Sequence, residues 1–335
     1  RQIFKMLDFN ISAESKVNNK NTWHNKFGLS YLGLWDEYNA KENLVLAKIN
    51  IKKDFNLARF IKDESFNIDI NGGFYGQETL SKQMNNGLIT IKPYIKMRFD
   101  DLEITGGINT SGIIDNVGKL YFHPIARLDI YLVPDHLKIF FGLDGSVSRN
   151  TFREYININP FINTEYITFD FTETKRELQG GVIGGFGGIF NYKIQANNKQ
   201  IKNMPLFIND TLPIELRNDT IVLGKRFKAI HDNIDIFSVS ADLSLDIDPK
   251  FQILLQSSYH IYSPTNEAKA WHLPLYDGSL SFKYNIQENI CAKAKIVTYG
   301  TRYAIIDNIE KKLSPIWDFS LGGEYHYNKS LSGFI

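Results

Sequence analysis

The stretch Lys119–Phe161 constrains this chain more than any other. It reads KLYFHPIARLDIYLV, a tight PDH turn, LKIFFGLDGSVSRN, and then a polar run ending in NPF. In the first arm Leu120, Phe122, Pro124, Ala126, Leu128, Ile130 and Leu132 share one parity; Tyr121, His123, Ile125, Arg127, Asp129 and Tyr131 share the other. The second arm sets Ile139, Phe141, Leu143 and Val147 against Lys138, Asp144, Ser146 and Ser148. Period-two alternation in two long arms joined by so short a turn predicts a β-hairpin. Each arm exceeds the usual five or six residues of a soluble strand and reaches the roughly nine to eleven that a tilted strand needs to cross a bilayer. One apolar face backed by His, Arg, Asp and Lys predicts the wall of a transmembrane β-barrel, apolar outside and wet inside.

Composition agrees where it bears on this reading. Hydrophobic residues make up 43% of the 335, and mean hydropathy is −0.25. A barrel wall hides its membrane character in this way, because every second residue is polar. No run approaches 18 apolar residues, so no helix is expected to span a membrane. Aromatics reach 13%, with 24 Phe and 17 Tyr, which suits interfacial girdles. A net charge of +1 argues against a nucleic-acid binder held through phosphates. Cys291 is the only cysteine, which excludes an internal disulfide and a cysteine-based zinc site. The chain opens on Arg1 and closes on Leu331–Ile335, a strand cut short; we read it as a processed or truncated piece forming one barrel domain over 1–335.

The same alternation recurs along the chain. Strands are expected at Ile3–Ile11, Trp23–Trp35, Asn43–Lys52, Ser65–Gly76, Leu88–Phe99 and Leu102–Asn109 before the central hairpin. After it they are expected at Tyr166–Thr172, Leu178–Ile194, Asp235–Ile247, Phe251–Tyr262, His272–Ile286, Ile290–Tyr303 and Trp317–Tyr327. Short turns at Asp100–Asp101, Pro134–His136, Glu173–Glu177, Asp248–Lys250, Gln287–Asn289 and Asn328–Ser330 alternate with longer polar loops. Those loops fall near Gln77–Gly87, Ser111–Gly118, Asn150–Glu165, Gln195–Ile234, Ser263–Trp271 and Arg302–Pro315. Outer-membrane barrels sort their connections this way, short on the periplasmic side and long outside, whereas a β-sandwich has no reason to. The expected fold is therefore all-β: a closed antiparallel transmembrane β-barrel of roughly 14–16 strands or more.

Within Tyr121–Phe161, the wording YFHPIARLDIYLVPDHLKIFFGLDGSVSRNTFREYININPF resembles barrel segments of TonB-dependent-receptor-like outer-membrane proteins of the Bacteroidota type. GGVIGGFGGIFNYKIQA and NMPLFIND fit the same group. The resemblance covers the middle third by wording and the rest by pattern. It implies the outer membrane of a Gram-negative bacterium, a barrel, and a lipid bilayer as partner. No plug domain precedes the barrel here and no TonB-box-like segment is visible, so the resemblance supplies no substrate and no energised uptake.

Several constellations compete for chemistry. His123, Arg127 and Asp129 lie two to four residues apart on one strand face, near 7 Å per two-residue step, with Lys138 and Asp144 on the polar face of the next arm. They read as lumen-lining charge, either steering solute or bracing the barrel. Ser258 and His260 share a strand face, but no acid falls on it, so catalysis is not expected. Gly180, Gly181, Gly184, Gly185, Gly187 and Gly188 alternate with apolar residues in a strand-length run; they read as a bend or a site of close backbone approach rather than a phosphate loop. Asn209, Asp210, Asn218 and Asp219 read as turn formers before calcium ligands. Cys291 falls with Lys293 and Lys295 on an inward face, an incidental thiol ahead of a reactive one. Trp23, Trp35, Tyr131, Tyr259, Trp271 and Trp317 are expected in a membrane girdle, a carbohydrate platform being the sharper alternative.

The sequence thus points to a non-enzymatic barrel with no cofactor and no nucleic-acid partner. Solute passage is the first expectation. A plugless structural subunit, docked to other outer-membrane proteins or lipoproteins, is the second, and a soluble β-rich binding module is the rival from another class.

Overall fold

The computed structural model describes the chain except for residues 1–2, 16–21, 39, 56–60, 80–81, 135, 165–166, 211–212, 217–219, 224–225, 249, 288, 307–308, 329–330 and 335; within 211–225 it describes backbone alone. The elements are β1 Phe4–Glu14, β2 Trp23–Asp36, β3 Lys41–Phe55, β4 Asp63–Glu78, β5 Gln83–Arg98, β6 Leu102–Ile114, β7 Lys119–Val133, β8 Leu137–Arg149 and helix α1 Phe152–Ile158. They continue with β9 Phe171–Phe186, β10 Phe190–Asp210, β11 Pro213–Leu216, β12 Thr220–Leu223, β13 Arg226–Asp248, β14 Phe251–Pro264 and β15 Tyr276–Gln287. The chain ends with β16 Ile290–Tyr299, β17 Arg302–Ile306, β18 Ile309–Leu313, β19 Ile316–Asn328 and β20 Leu331–Phe334.

Sixteen of these strands form one sheet in which each pairs antiparallel with its sequence neighbour, from β1 at one margin to β20 at the other. The hairpins β11–β12 and β17–β18 stand apart as two small sheets. The wall is two-faced, as the alternation predicts. Leu120 is 71% exposed, Phe122 63%, Phe74 55% and Phe141 54%, all on the outer parity, with Ile89, Ile91, Ile95 and Ile108 beside them. The inner parity carries Lys48, Asn50, Asp69, Lys92, Lys96, Arg127 and Asp129. Of the apolar residues assigned to the outer wall, Leu120, Phe122 and Phe141 stay outside, whereas Val147 packs in the interior core.

Connection lengths sort by end most clearly in the second half of the chain. One end carries the links 15–22, 56–62, 99–101, 134–136, 187–189, 249–250, 288–289 and 329–330; the other carries the short links 37–40, 79–82 and 115–118 and then the long ones, 150–170 with α1, 211–225 with β11–β12, 265–275, and 300–315 with β17–β18. Several expectations need correction. The expected strand Tyr166–Thr172 is strand only at Phe171 and Thr172 among its described residues. Glu173–Glu177 is no turn but lies within β9, and the true turn is Ile189 with Gly187 and Gly188, whose φ of 59° and 69° glycine alone adopts freely. Gln77–Gly87 and Ser111–Gly118 are mostly strand around tight turns. Gln195–Ile234 is mostly β10 and β13, 21 and 23 residues long. Its alternation is hidden in sequence because the ladder slips between Ile201 and Met204, with Asn203 at φ 57°, and such a slip reverses the parity of everything beyond it.

At the loop end apolar side chains fill the interior. Register breaks fall at one level across adjacent strands: between Asp144 and Ser146 in the β8–β9 ladder, between Gln200 and Ile201 in β9–β10, and between Ile201 and Met204 in β10–β13. Beyond that level the strand tips turn into the barrel. Val147 of β8 packs with Leu44, Tyr75, Leu88 and Ile113, which lie on the inner faces of β3 to β6. Phe152, Tyr155 and Ile156 of α1 pack with Leu34, Ile162, Phe169 and Phe207. The other side of the β10–β13 tip, through Leu206, Ile230 and Ile234, packs on Trp271, Tyr303 and Ile305. The β10–β13 tip is thus a septum buried on both faces, which is why NMPLFIND reads as a near-continuous apolar run.

Candidate functional site

Below the septum, β6, β7 and β8 bring charged side chains together on one face of the wall, and the ladder explains their meeting. β7 pairs with β6 and β8, and residues of like parity face the lumen together. Arg127 donates from Nε and Nη2 to the two oxygens of Asp129, at 2.7 and 3.0 Å, and Lys138 Nζ of β8 lies 3.1 Å from Asp129 Oδ1. Asp129 is buried and both of its oxygens are engaged, which is what a carboxylate away from bulk water requires. Phe140, fully buried, lies under this group, 4.9 Å from the Arg127 guanidinium and 6.0 Å from Lys193 Nζ. His123 Nε2 lies 3.3 Å from Glu173 of β9, and Asp144 lies 4.0 Å from Lys92. His123, Arg127, Asp129, Lys138 and Asp144 thus fall into three separate contact groups on one face of the wall rather than into one.

Toward the turn end Lys138 borders open space. A cavity of about 470 Å³ is lined by Tyr131, Lys138, Gly184, Tyr192, Lys193, Asp242 and Leu254 among others. A second, of about 710 Å³, is lined by Asp54, Asp63, Glu64, Tyr94, Lys96, Arg98 and Glu103 among others. Both mix the two signs of charge, so neither has the single-sign field that steers one class of ion.

The level above is held by a second network that sequence reasoning missed. Glu42 of β3 is buried and accepts from Gln77 Nε2 at 2.5 Å, from the Phe152 amide at 2.7 Å and from the Arg153 amide at 3.2 Å. Arg149, the last residue of β8, donates to Gln77 Oε1 at 2.6 Å and Asn86 Oδ1 at 3.0 Å and lies 4.9 Å from the Phe171 ring. Thr151 and Glu154 close a reciprocal capping box at the start of α1, legible in TFRE as the S/T-x-x-E signature. Arg153 reaches Asp8 of β1, and Thr164 donates to Asp36 at 2.5 Å. Burial pushes the Tyr155 phenol well above its ordinary range, so it stays protonated; its oxygen lies 3.1 Å from His231 Nε2 and 3.4 Å from the Thr168 carbonyl.

The expected aromatic belt divides. Trp23, Tyr259 and Trp317 are exposed on the outer parity, and Trp35 lies on the same outer face with its ring over Gly33, where a side chain would meet it at 2.6 Å. Two members do not belong. Tyr131 shares the parity of Arg127 and Asp129 and faces inward, its ring 4.9 Å from the Arg98 guanidinium and 5.6 Å from Lys138. Trp271 is 3% exposed, because the 265–275 connection folds against the septum; its indole donates to Glu267 at 2.7 Å.

The remaining candidates resolve as follows. The glycine run is the end of β9 and a turn, with room at Gly184 for the Tyr192 ring; no helix follows, so no phosphate cradle forms. Asn209 and Asp210 close β10, and Asn218 and Asp219 lie outside the described residues. Among the described residues no His, Cys, Asp and Glu cluster suits a metal ion. Cys291 is buried, facing inward beside Lys293 and Lys295. His260 pairs with Ser238 rather than with Ser258: Ser238 Oγ lies 2.8 Å from Nδ1, and Asp277 Oδ2 lies 3.1 Å from Nε2. Sequence could not see this serine–histidine–aspartate row, because it spans β13, β14 and β15. The backbone around it is engaged in the β13–β14–β15 ladders.

An antiparallel wall of sixteen strands with an apolar exterior and a charged interior defines the class: a transmembrane β-barrel. Among the described residues no helix is long and apolar enough to cross a membrane. No family model matches the chain and no curated protein matches it. Solved structures do share the fold. The ferric enterobactin receptor PfeA of Pseudomonas aeruginosa superposes with a TM-score of 0.67 at 10% identity, over 99% of this chain and 55% of its own. The siderophore receptor PirA of Acinetobacter baumannii gives 0.65 at 8% identity, over 98% and 57%. The ferric-catecholate import receptor Fiu of K12 E. coli gives 0.65 at 10%, over 98% and 58%. The chain therefore spans a little over half the length of these receptors.

Proposed function

We propose that this chain is the wall of an outer-membrane barrel of a Gram-negative bacterium, non-enzymatic, serving passage of polar solute. One observation carries the reading: apolar side chains cover the outer parity of successive strands while ion-paired charges and cavities of about 470 and 710 Å³ occupy the inside. Lipid is the solvent that makes the first arrangement stable, and water the second. The shared fold with receptors for ferric siderophores supports both the location and a transport role. The turn end then faces the periplasm and the loop end the exterior. The TonB-dependent-receptor-like, Bacteroidota-type assignment belongs to this proposal and rests on the wording of Tyr121–Phe161. The mixed charge of the lumen favours a polar solute of no single sign.

The septum favours a second reading. A loop end packed with Phe152, Tyr155, Phe207 and Trp271 is what a barrel acting as a structural subunit, docked to other outer-membrane proteins or lipoproteins, would carry. Conductance of the purified protein in planar bilayers separates the two. Stepwise currents support passage; a membrane that stays silent after insertion, verified by heat-shifted gel mobility, overturns it in favour of the subunit.

A further inference from the structure

The wall has a seam. β7 pairs with β8 only over Ala126–Val133, although β7 continues to Lys119 and β8 to Arg149. Above Ala126 the β8 tip has turned inward, so the β8-facing edge of Lys119–Ile125 has no ladder partner among the described residues. The chemistry of β7 is consistent with that edge. The Tyr131 amide donates to Asp101 on the β6 side; odd-numbered amides of β7 therefore point to β6 and even positions to β8. Pro124, which has no N–H to offer, falls on the open side.

The β8 tip, in turn, carries the pattern of a wall strand. Extending the Ala126↔Leu143 register upward would set Pro124 opposite Gly145, Phe122 opposite Val147 and Leu120 opposite Arg149. That register would turn Val147 outward beside exposed Phe122 and turn Ser146 and Ser148 inward beside His123 and Tyr121. It is the arrangement the alternation in LKIFFGLDGSVSRN predicts. In the in-folded tip the parity is reversed: Val147 and Arg149 are buried inside and Ser148 is exposed. Gly145 is wedged against His123, where a Cβ would lie 2.7 Å from the ring. Along the same crease Asn109 Oδ1, His123 Nδ1 and Arg149 Nη1 are buried without a hydrogen-bond partner, a cost the in-folded state carries.

We propose that the free upper edge of β7 is the docking surface for this chain's own residues Gly145–Arg149, so that the barrel has two states. In one, the β8 tip is folded in and latched through Arg149, Gln77 and Glu42, closing the loop end and opening the seam. In the other, the tip zips onto Lys119–Ile125 by a one-residue slip, extending the β7–β8 ladder to the loop end and withdrawing material from the lumen. The inference rests on ladder register and parity, and it stands whether or not the barrel passes solute.

The test is a disulfide, read separately from any conductance. Phe122→Cys with Val147→Cys, in a Cys291→Ser background, would put two thiols directly opposite in the zipped state, at a Cα separation of about 5.5 Å, within disulfide reach. In the in-folded state one faces lipid and the other the core. Mild oxidation of the protein in lipid should yield an intramolecular linkage seen by mobility without reductant, and adding Glu42→Gln should raise its yield several-fold. Leu88→Cys with Val147→Cys, bridged by a short bis-maleimide, reports the in-folded state and should fall as the first linkage rises. If the Phe122–Val147 linkage fails to form in either background while the Leu88–Val147 bridge forms in both, the tip is fixed and the proposal is wrong. If Phe122→Cys links instead to a second polypeptide, the edge belongs to another occupant, which also overturns it.

Discussion

Glu42 is the residue on which the inner network turns, and its removal gives a quantitative prediction. Its carboxylate is buried and accepts three hydrogen bonds, from the Gln77 amide and from the Phe152 and Arg153 backbone at the start of α1. Glu42→Ala would strand two buried donors, Phe152 N–H and Gln77 Nε2, at about 1–3 kcal/mol each. Loss of a negative charge at the helix start adds about 0.3–1 kcal/mol. We expect local opening of 150–170 to become cheaper by about 3–5 kcal/mol, which is about a hundred- to a few-thousandfold in the open population. Trypsin reads this directly, since Arg153 lies in α1 and cleavage of a fast-opening segment tracks the open fraction. Cleavage after Arg153 should accelerate by that factor while heat-shifted gel mobility persists, showing that the barrel itself stays folded. Glu42→Gln keeps an acceptor for Phe152 but sets an amide donor against the Arg153 N–H, and should accelerate cleavage about tenfold. Cleavage of Glu42→Ala at the wild-type rate would refute the reasoning, because the helix would then be held by something other than this carboxylate.

Other consequences can be measured alongside. Ile91→Arg, on the outer parity of β5, should destabilise the barrel in lipid vesicles by about 2–4 kcal/mol, against less than about 0.5 kcal/mol for inward Lys48→Gln, read from urea midpoints. Asp129→Asn leaves Arg127 and Lys138 without their shared counter-charge and should cost about 3–5 kcal/mol in the same titration. In single-tryptophan variants, brominated lipid should quench Trp23, Trp35 and Trp317 and leave Trp271 unquenched, which tests the division of the aromatic belt. Ser238 should stay unlabelled by a fluorophosphonate probe; labelling abolished by His260→Ala would show that the row with Asp277 is an active site and sink the non-enzymatic reading.

What the sequence determined by itself is the two-faced wall. Alternation is a local property: Leu120, Phe122, Ile89, Ile91 and Phe74 declare a face without reference to any other part of the chain, and lipid on one side with water on the other leaves one way to place them. By the same parity His123, Arg127, Asp129, Lys138 and Asp144 are expected on the inner face. Only the tertiary structure decided what fills the loop end. Whether β8 runs straight past Gly145 or breaks register there is a one-residue choice, and its outcome depends on His123, Asn109, Gln77 and Glu42, which lie far away in sequence. The same holds for Asn203 in β10, where the slip turned an apparent loop into the buried septum. Tyr131 and Trp271 were misplaced for that reason: an aromatic near a strand end carries no local signal of whether a cation or a folded loop will claim it. Parity is written residue by residue, but a bulge is a compromise between partners, and the partners exist only once the chain has folded.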